Sequence, residues 1–292
     1  RTPSTTGTSG APFSGSYRGA SWNGQGFLAF DLHKQLQKRH YPHRLLGRHD
    51  FVGIQETHST EGNSAAIQVP DGVVPLWSHG SRRQGGVALM IQESFLKQFR
   101  AVTTESWEEV DPGRLAILHP DGPQGRISIA TVYFASGELF VSERRELRQR
   151  LRQVMAQHAD TLWIVMGDFN WVTKESDRLN ITTSTFSGEQ DRGEELHWQQ
   201  AVASQSGLKE LAQHEFTYQS STARSRLDRI YSNHHTADFF EGSFWVAAWP
   251  WPPRDENDWA VSDHRPLSFG FRRPVGLNRP PAVREQHVQH PD

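Results

Sequence analysis

One pattern constrains this chain above all. Short, strongly apolar runs close on polar clusters, and polar stretches with helical spacing lie between them. Thr161-Leu-Trp-Ile-Val-Met166 is the most hydrophobic run and leads at once into Gly167-Asp-Phe-Asn170. Asp50-Phe-Val-Gly-Ile-Gln-Glu56 likewise ends on a carboxylate. Apolar runs this short read as buried strands. Gly85–Ile91, Gly113–His119 and Gly125–Tyr133 read as further strands, and others are expected near Phe216–Gln219, Leu227–Ser232 and Arg265–Phe271. Phe27, Leu28, Leu32 and Leu36 recur at helical spacing between Phe27 and Arg39. Between Phe140 and His158, Leu147, Leu151, Val154 and Met155 share a helix face, while Arg144, Arg145, Arg148 and Arg152 read as its solvated side. A further helix is expected near Glu194–Ser206. Adjacent strands mixed with strand–helix alternation predict a layered α/β domain and not an all-parallel barrel.

Composition bounds what this domain can do. The chain has 292 residues, of which 35% are hydrophobic. Residues 1–16 and 273–292 are rich in Thr, Ser, Gly, Pro and polar residues, and are expected to be flexible tails flanking one domain over residues 17–272. No apolar run reaches the ~18 residues of a membrane helix. The opening Arg1-Thr-Pro-Ser lacks an apolar signal core. With no cysteine, disulfides, thiolate zinc sites and a cysteine nucleophile are excluded. The net charge of −2 argues against a generic polyanion binder, so any nucleic-acid site must be a local patch.

The polar clusters carry the chemistry. They are Trp22-Asn23-Gly-Gln-Gly26, Gln55-Glu56-Thr57-His58, Gly167-Asp168-Phe169-Asn170 and Ser262-Asp263-His264, with Arg226-Leu-Asp228 at a strand start. Such ends can converge on one edge of a sheet, where α/β folds bind ligands. Glu56 offers a hard oxygen suited to Mg²⁺, Asp263 a second carboxylate and Asn23 a neutral oxygen. Asp168 and Asn170, two positions apart, project to one side and can orient a water and hold a phosphate oxygen. His264 is a titratable imidazole, and Asp228 can hold one of its ring nitrogens so that the other faces substrate. There is no Gly-x-Ser-x-Gly elbow and no Walker loop, which points to water on or near a metal as the nucleophile.

Taken in order, Asn23, Glu56, Tyr133, Asp168 with Asn170, Asp228 and Asp263-His264 resemble the markers of the endonuclease/exonuclease/phosphatase superfamily, over about residues 17–272. Within it the chain looks most like the endonuclease domain of non-LTR (LINE-type) retrotransposons. Asn23-Gly-Gln-Gly26 resembles their Asn-x-x-Gly opening, with Gln25 where abasic-site enzymes usually carry Asp. Ser81-Arg-Arg-Gln-Gly-Gly-Val-Ala88 resembles their Gly-Gly-Val-Ala strand entry. Asp177-Arg178 follows the Gly-Asp-Phe-Asn motif at a similar interval. Phe216-Thr-Tyr218 with Ser225-Arg-Leu-Asp-Arg-Ile230 resembles a further motif pair. The resemblance implies a four-layered α/β sandwich of two mixed, mainly antiparallel sheets flanked by helices, as in exonuclease III and DNase I.

It also implies roles. Glu56 would bind metal, with Asn23 and Asp263 around it; Mg²⁺ is expected, with Mn²⁺ a possible substitute. Asp168 and Asn170 would position water and phosphate. His264, oriented by Asp228, would contact the scissile phosphate, and either it or Asp168 would be the base. Tyr133 would donate to the phosphate or tune the site. After Tyr133 the family often has Pro-Asn, where Phe134-Ala135-Ser136 stands here, so Ser136 would replace a phosphate contact. DNA is the expected partner, along Arg82, Arg83, Arg178, Arg224, Arg226 and Arg229, with Thr217 beside them. Trp249 or Trp251, in the aromatic segment Phe244–Pro253 that precedes Trp259, could stack on bases. A fused reverse transcriptase and element RNA, a nuclear location and a monomeric domain are expected from the family alone. The rival readings are an abasic-site repair nuclease, a phosphatase of the same superfamily and a silent DNA-binding module.

Overall fold

The computed structural model describes residues 10–28, 32–81, 85–100, 102–188, 192–235, 243–252 and 261–273. Two large sheets dominate. A six-stranded sheet holds β1 (Tyr17–Asn23), β2 (Phe51–Gln55), β3 (Val73–Ser78), β4 (Val87–Gln92), β16 (Phe244–Ala248) and β17 (Leu267–Phe271), in the order β16-β17-β1-β2-β4-β3. A seven-stranded sheet holds β5 (Trp107–Asp111), β6 (Leu115–Leu118), β7 (Asp121–Gly122), β8 (Gly125–Tyr133), β9 (Leu162–Asp168), β12 (Lys209–Glu210) and β15 (Asp228–Ser232), in the order β12-β15-β9-β8-β6-β5 with β7 on β8. Four short strands, β10 (Arg178–Asn180), β11 (Thr185–Phe186), β13 (Tyr218–Gln219) and β14 (Ala223–Ser225), form a small third sheet. The β1–β2 and β8–β9 pairs are parallel and the other strand pairs antiparallel.

Period-two alternation builds the four layers. Phe51, Leu89, Ile91, Leu267 and Phe269 of the first sheet meet Ile127, Ile129, Ile164, Met166 and Ile230 of the second in the central core. Residues one step along face outward. Ala130, Val132, Trp163 and Val165 pack against Leu147, Leu151, Val154 and Met155 of the helix Val141–Gln157. Ala20, Trp22, Val52 and Ile54 pack under Tyr41, Leu45 and Leu46 of the helix Leu32–Leu46. The expected sandwich of two helix-flanked sheets is therefore present.

Several expectations change. Phe27 and Leu28 belong to a buried turn before the first helix, while the side chains of Leu32 and Leu36 lie outside the described residues. Residues 10–16 are not a free tail: Phe13 is buried against Phe95 and Phe99, and its N–H donates to the Arg126 carbonyl at 2.8 Å. Residues 1–9 and 274–292 lie outside the described residues. Within the aromatic segment, Phe244–Ala248 is an edge strand paired with β17, with alternate side chains half-buried and exposed. Arg144 and Arg148 are not solvated. Arg148 lies 4.7 Å over Trp171 and 5.3 Å over Phe134, and both arginines pair with Glu194. Arg144 also donates to the Ala135 and Gly137 carbonyls at 2.7 and 2.8 Å. The helix thus grips the loop that follows Tyr133, and cation–π contact plus charge pairing offsets burial of its guanidinium groups.

Candidate active site

Strand register assembles the site. On three neighbouring strands Tyr133 sits opposite Asp168, and Asp168 opposite Asp228. In the other sheet Asn23 is level with Gln55, so Glu56 follows directly beside it. Ser262 and Trp22 bring in the last piece. The Ser262 hydroxyl donates to the Asn23 carbonyl at 2.8 Å, and the Trp22 indole donates to the His264 carbonyl at 3.3 Å.

The result is a connected, buried polar network. The Asn23 amide donates to Glu56 at 2.8 Å and to Asp168 at 2.9 Å. Its oxygen is taken by the Gln25 backbone N–H at 2.8 Å. Asn23 therefore presents donors to both carboxylates, while its oxygen accepts from the Gln25 backbone. Asp168 also accepts the Asn170 backbone N–H at 2.9 Å and the Asn170 side-chain amide at 3.1 Å. That amide donates to the Phe134 carbonyl at 2.8 Å as well, so Asn170 bridges two site loops.

His264 Nδ1 meets Asp228 at 2.8 Å, while Nε2 lies 3.9 Å from both Asp168 and Asp263. Tyr218 packs its ring 5.0 Å from the imidazole. Burial works against the imidazolium, but the Asp228 carboxylate, with Asp168 and Asp263 behind it, outweighs burial and pushes the His264 pKa up to about 10. Burial raises the Asp168 pKa; the charges of Asp228 and Glu56 add to this, against the lowering effect of His264. Burial first, then Glu56 and Asp168, also raise the Tyr133 phenol, which stays a donor. Asp168, Asp228 and His264 lie close enough to hold a cation among themselves. The 2.8 Å contact to Asp228 makes an oriented acid–imidazole pair the better description of that cluster.

Glu56 is only part-buried, so its carboxylate is open on one side. Asp263 is clamped by Gln25, whose amide donates to it at 2.8 Å and whose oxygen accepts its backbone N–H at 3.2 Å. The remaining Asp263 oxygen is buried without a hydrogen-bond partner. Backbone strain marks the same place. The non-glycine residues with positive φ are Gln25, Glu56, His58, Asn170 and Ser184 among the described residues, and four of these five belong to the site clusters. Each left-handed residue costs roughly 1–3 kcal/mol, which surrounding structure must offset. Gly86 helps to do so: its carbonyl accepts Thr57 N–H, Gly85 accepts His58 N–H, and a Cβ on Gly86 would come within 2.2 Å of the Thr57 hydroxyl.

The predicted DNA-contact residues divide. Ser136 is exposed beside the site, and Arg178 is half-buried with its Nε donating to Ser225 at 3.2 Å. Arg226 and Arg229 are buried in ion pairs with Asp177 and Glu210, at 2.7 and 2.5 Å for Arg226 and 3.2 and 3.0 Å for Arg229. Thr217 is fully buried and accepts the Leu227 and Asp228 N–H groups at 3.0 Å. These three residues support the Asp228 turn instead of forming a DNA track. Trp249 and Trp251 line a groove of about 620 Å³ with Arg44 and Arg48. Arg265, next to His264, lies 4.8 Å over the Trp251 ring. Arg82, Arg83 and Trp259 lie outside the described residues. Sequence reasoning missed Tyr218 as a packing partner of His264 and missed Lys38, which donates to the Gly24 and Gln25 carbonyls at 2.9 and 2.5 Å. Only the long-range fold reveals either.

A family model described as the endonuclease/exonuclease/phosphatase family matches residues 20–264. The chain belongs to this family. Its members include hydrolytic nucleases and phosphatases. Solved structures with the same fold include the AP endonuclease LMAP from Leishmania major, with TM-score 0.65 and 18% identity over 91% of this chain and 94% of that one. The 3′ phosphatase NExo from Neisseria, bound to product DNA hairpin, gives TM-score 0.62 and 17% identity over 87% and 99%. The endonuclease domain of TRAS1, a telomere-specific non-LTR retrotransposon, gives 0.54 and 17% over 88% and 98%. No curated protein sequence matches the chain. In this family the Asp228–His264 pair, Asp168 and Glu56 form one candidate hydrolytic centre.

Proposed function

We propose that the chain is a metal-dependent DNA endonuclease that nicks target DNA for target-primed reverse transcription of a non-LTR retrotransposon. One observation carries the hydrolytic reading. A buried imidazolium, held by Asp228, and a buried carboxylate of raised pKa, Asp168, face the same space 3.9 Å apart. Opposed environments of this kind separate acid and base roles. His264, kept protonated by its carboxylates, suits charge stabilisation at the phosphate. Asp168 is then the base that takes the proton from water, aligned by Asn170.

The residues also fit a divalent cation. Glu56 is open on one side, and Asp263 keeps a buried oxygen without a hydrogen-bond donor. Together they would hold Mg²⁺, or Mn²⁺ in its place, while Asn23 orients Glu56. Bound there, the ion would supply positive charge to the phosphate oxygens during in-line displacement. The groove of Trp249, Trp251, Arg44 and Arg48 offers stacking faces and cations next to Arg265, as single-stranded or distorted DNA requires.

The retrotransposon role rests on the motif resemblance and on Gln25, which clamps Asp263 where abasic-site enzymes usually carry an acid. DNA, and through a fused reverse transcriptase the element RNA, would be its partners, in the nucleus. The deciding experiment is nicking of supercoiled plasmid with Mg²⁺, with chelator and with His264→Ala, run beside an abasic duplex and a 3′-phosphorylated duplex. Metal-dependent nicking of intact plasmid that disappears in His264→Ala is expected. Strong preference for the abasic strand or the 3′-phosphate would overturn the retrotransposon reading, and absence of all three activities would overturn the enzyme.

A further inference from the structure

We propose that Glu108, His119 and His158 form a second divalent-cation site, of the Zn²⁺ class, remote from the active site. The three residues come from β5, from the end of β6 and from the end of the helix Val141–Gln157. One ligand atom of each lies within 4.8 Å of the others. Glu108 Oε2 and His119 Nε2 are 3.3 Å apart. Nε2 nevertheless has no hydrogen-bond partner and is shielded from solvent. The two atoms are at ion-pair distance without a hydrogen bond between them, at the spacing expected of ligands that share an ion. Ligands bound at ~2.0–2.1 Å in tetrahedral geometry sit about 3.3–3.4 Å from one another.

Surrounding contacts prepare this arrangement. His119 Nδ1 meets the Ser128 hydroxyl at 2.7 Å, so one ring nitrogen is occupied and Nε2 is turned toward Glu108. Trp163 packs edge-on against both imidazoles, at 5.7 and 6.4 Å, and its indole donates to the His158 carbonyl at 3.2 Å. The His119 and His158 rings stack with centroids 4.2 Å apart and planes 14° from parallel. Coordination would splay that stack, with His158 turning at the C-terminal end of the helix. Glu108 is 41% exposed, which gives an ion its entry and leaves room for a water as fourth ligand.

Ligand chemistry selects the ion. Two imidazoles and one carboxylate suit Zn²⁺ and its transition-metal neighbours, whereas Mg²⁺ prefers oxygen. Location excludes a part in phosphate hydrolysis. Ser128 precedes Tyr133 by five residues on β8, roughly 17 Å at ~3.3 Å per residue. The ion would instead tie the outer edge of the seven-stranded sheet to the helix whose Arg144 grips the loop after Tyr133.

The test is Co²⁺ titration of the whole chain in excess Mg²⁺, read by visible ligand-field absorption, with Zn²⁺ thermal shifts in parallel. The wild type and Glu56→Gln are both expected to show one equivalent of tetrahedral-type absorption. His158→Ala should lose it. Loss of its packing on His119 and Trp163 lowers the metal-free Tm of His158→Ala, but the variant should also lose the rise in Tm on adding Zn²⁺, which loss of packing alone would not cause. Absorption that survives in His158→Ala, or absence of absorption in the wild type, would overturn the site. His119→Gln, which keeps a polar side chain of similar reach, is expected to repeat the loss, and retention of Co²⁺ absorption in it would count equally against the proposal.

Discussion

Replacing Asp228 with asparagine isolates the electrostatic part of the His264 arrangement. The side chain keeps its shape and an oxygen for His264 Nδ1, which now meets Asp228 at 2.8 Å. The new NH₂ group would occupy the position of Asp228 Oδ1, which has no hydrogen-bond partner, so no existing contact is displaced. What is lost is a negative charge beside an imidazolium, in a place where both side chains are almost fully buried. Charges ~4 Å apart interact by about 4 kcal/mol at an effective dielectric of ~20. Retaining a neutral hydrogen bond recovers about 1 kcal/mol. About 3 kcal/mol of transition-state stabilisation is therefore at stake, or ~10²-fold in rate. The pH profile adds a second signature. Burial opposes the His264 charge, but Asp228 and the other carboxylates outweigh it and raise its pKa to about 10. A raised folded-state pKa stabilises most fully below the ordinary histidine value, and that contribution is lost as pH rises toward about 10. In Asp228→Asn the imidazolium should be lost at lower pH, so the alkaline limb of nicking moves toward neutrality. The stability gap from wild type should be widest at acid pH. Single-turnover plasmid nicking across pH, with circular dichroism as a folding control, measures both effects. A variant that nicks within roughly threefold of wild type, with an unmoved alkaline limb, would refute the assignment of His264 as a charged group held by Asp228.

Four further tests probe the surrounding structure. Asp177→Ala leaves the buried Arg226 and Arg229 short of a partner and should cost about 3–5 kcal/mol in denaturant unfolding. Burial alone would raise the Asp177 pKa, but hydrogen bonds and charge from Arg226, with Arg229 behind, hold it below the usual range. Its stabilisation is present above the ordinary aspartate pKa and is lost as pH falls below it, so Asp177→Asn should flatten the acid limb of wild-type stability. Gly86→Ala forces a side chain onto a backbone at φ +88° and against Thr57, and should cost about 1–3 kcal/mol while lowering nicking through the displaced Glu56 loop. Trp251→Ala with Arg48→Ala should weaken DNA binding and flatten its salt dependence. Arg226→Lys should leave the salt slope of DNA binding unchanged, because that side chain is tied to Asp177 and Glu210.

The sequence reveals chemistry that belongs to short segments and hides what depends on distant pairing. A strand as apolar as Leu162–Asp168 can only be buried, and the carboxylate that ends it can only sit at a sheet edge, so Asp168 is legible from the chain alone. Asp228 and His264 are legible as polar residues at or just before the start of buried strands, and the 2.8 Å contact between them is the orienting pair that their residue types suggest. Arg226, Arg229 and Thr217 misled for a physical reason. A cation or hydroxyl in a polar motif looks solvated until its partners are known, and Asp177 and Glu210 lie far from these residues in sequence. Arg144 and Arg148 misled in the same way, because Glu194 and the Phe134 and Trp171 rings that bury them come from other elements. Phe244–Ala248 hid its strand character behind an aromatic, Pro-rich continuation, though its period-two exposure is what an edge strand requires.

Orientation was the least legible property, and it decides the chemistry. Asn23 and Gln25 both carry an amide, able to ligate through oxygen or to donate through nitrogen. The fold resolves the choice through backbone strain. Gln25 and Glu56 are both left-handed, at φ 45° and 49°, and the N–H of Gln25 reaches back to the Asn23 oxygen. With that oxygen occupied, the Asn23 amide nitrogen turns toward Glu56 and Asp168 and becomes a donor to both carboxylates. The same turn brings the Gln25 side chain to Asp263, donating to one carboxylate oxygen and leaving the other without a hydrogen-bond partner. Glutamine at this position therefore does more than omit a carboxylate. Its two hydrogen bonds to residue 263 hold an acid at a fixed angle beside His264, and the strain of the turn is the cost of that aim.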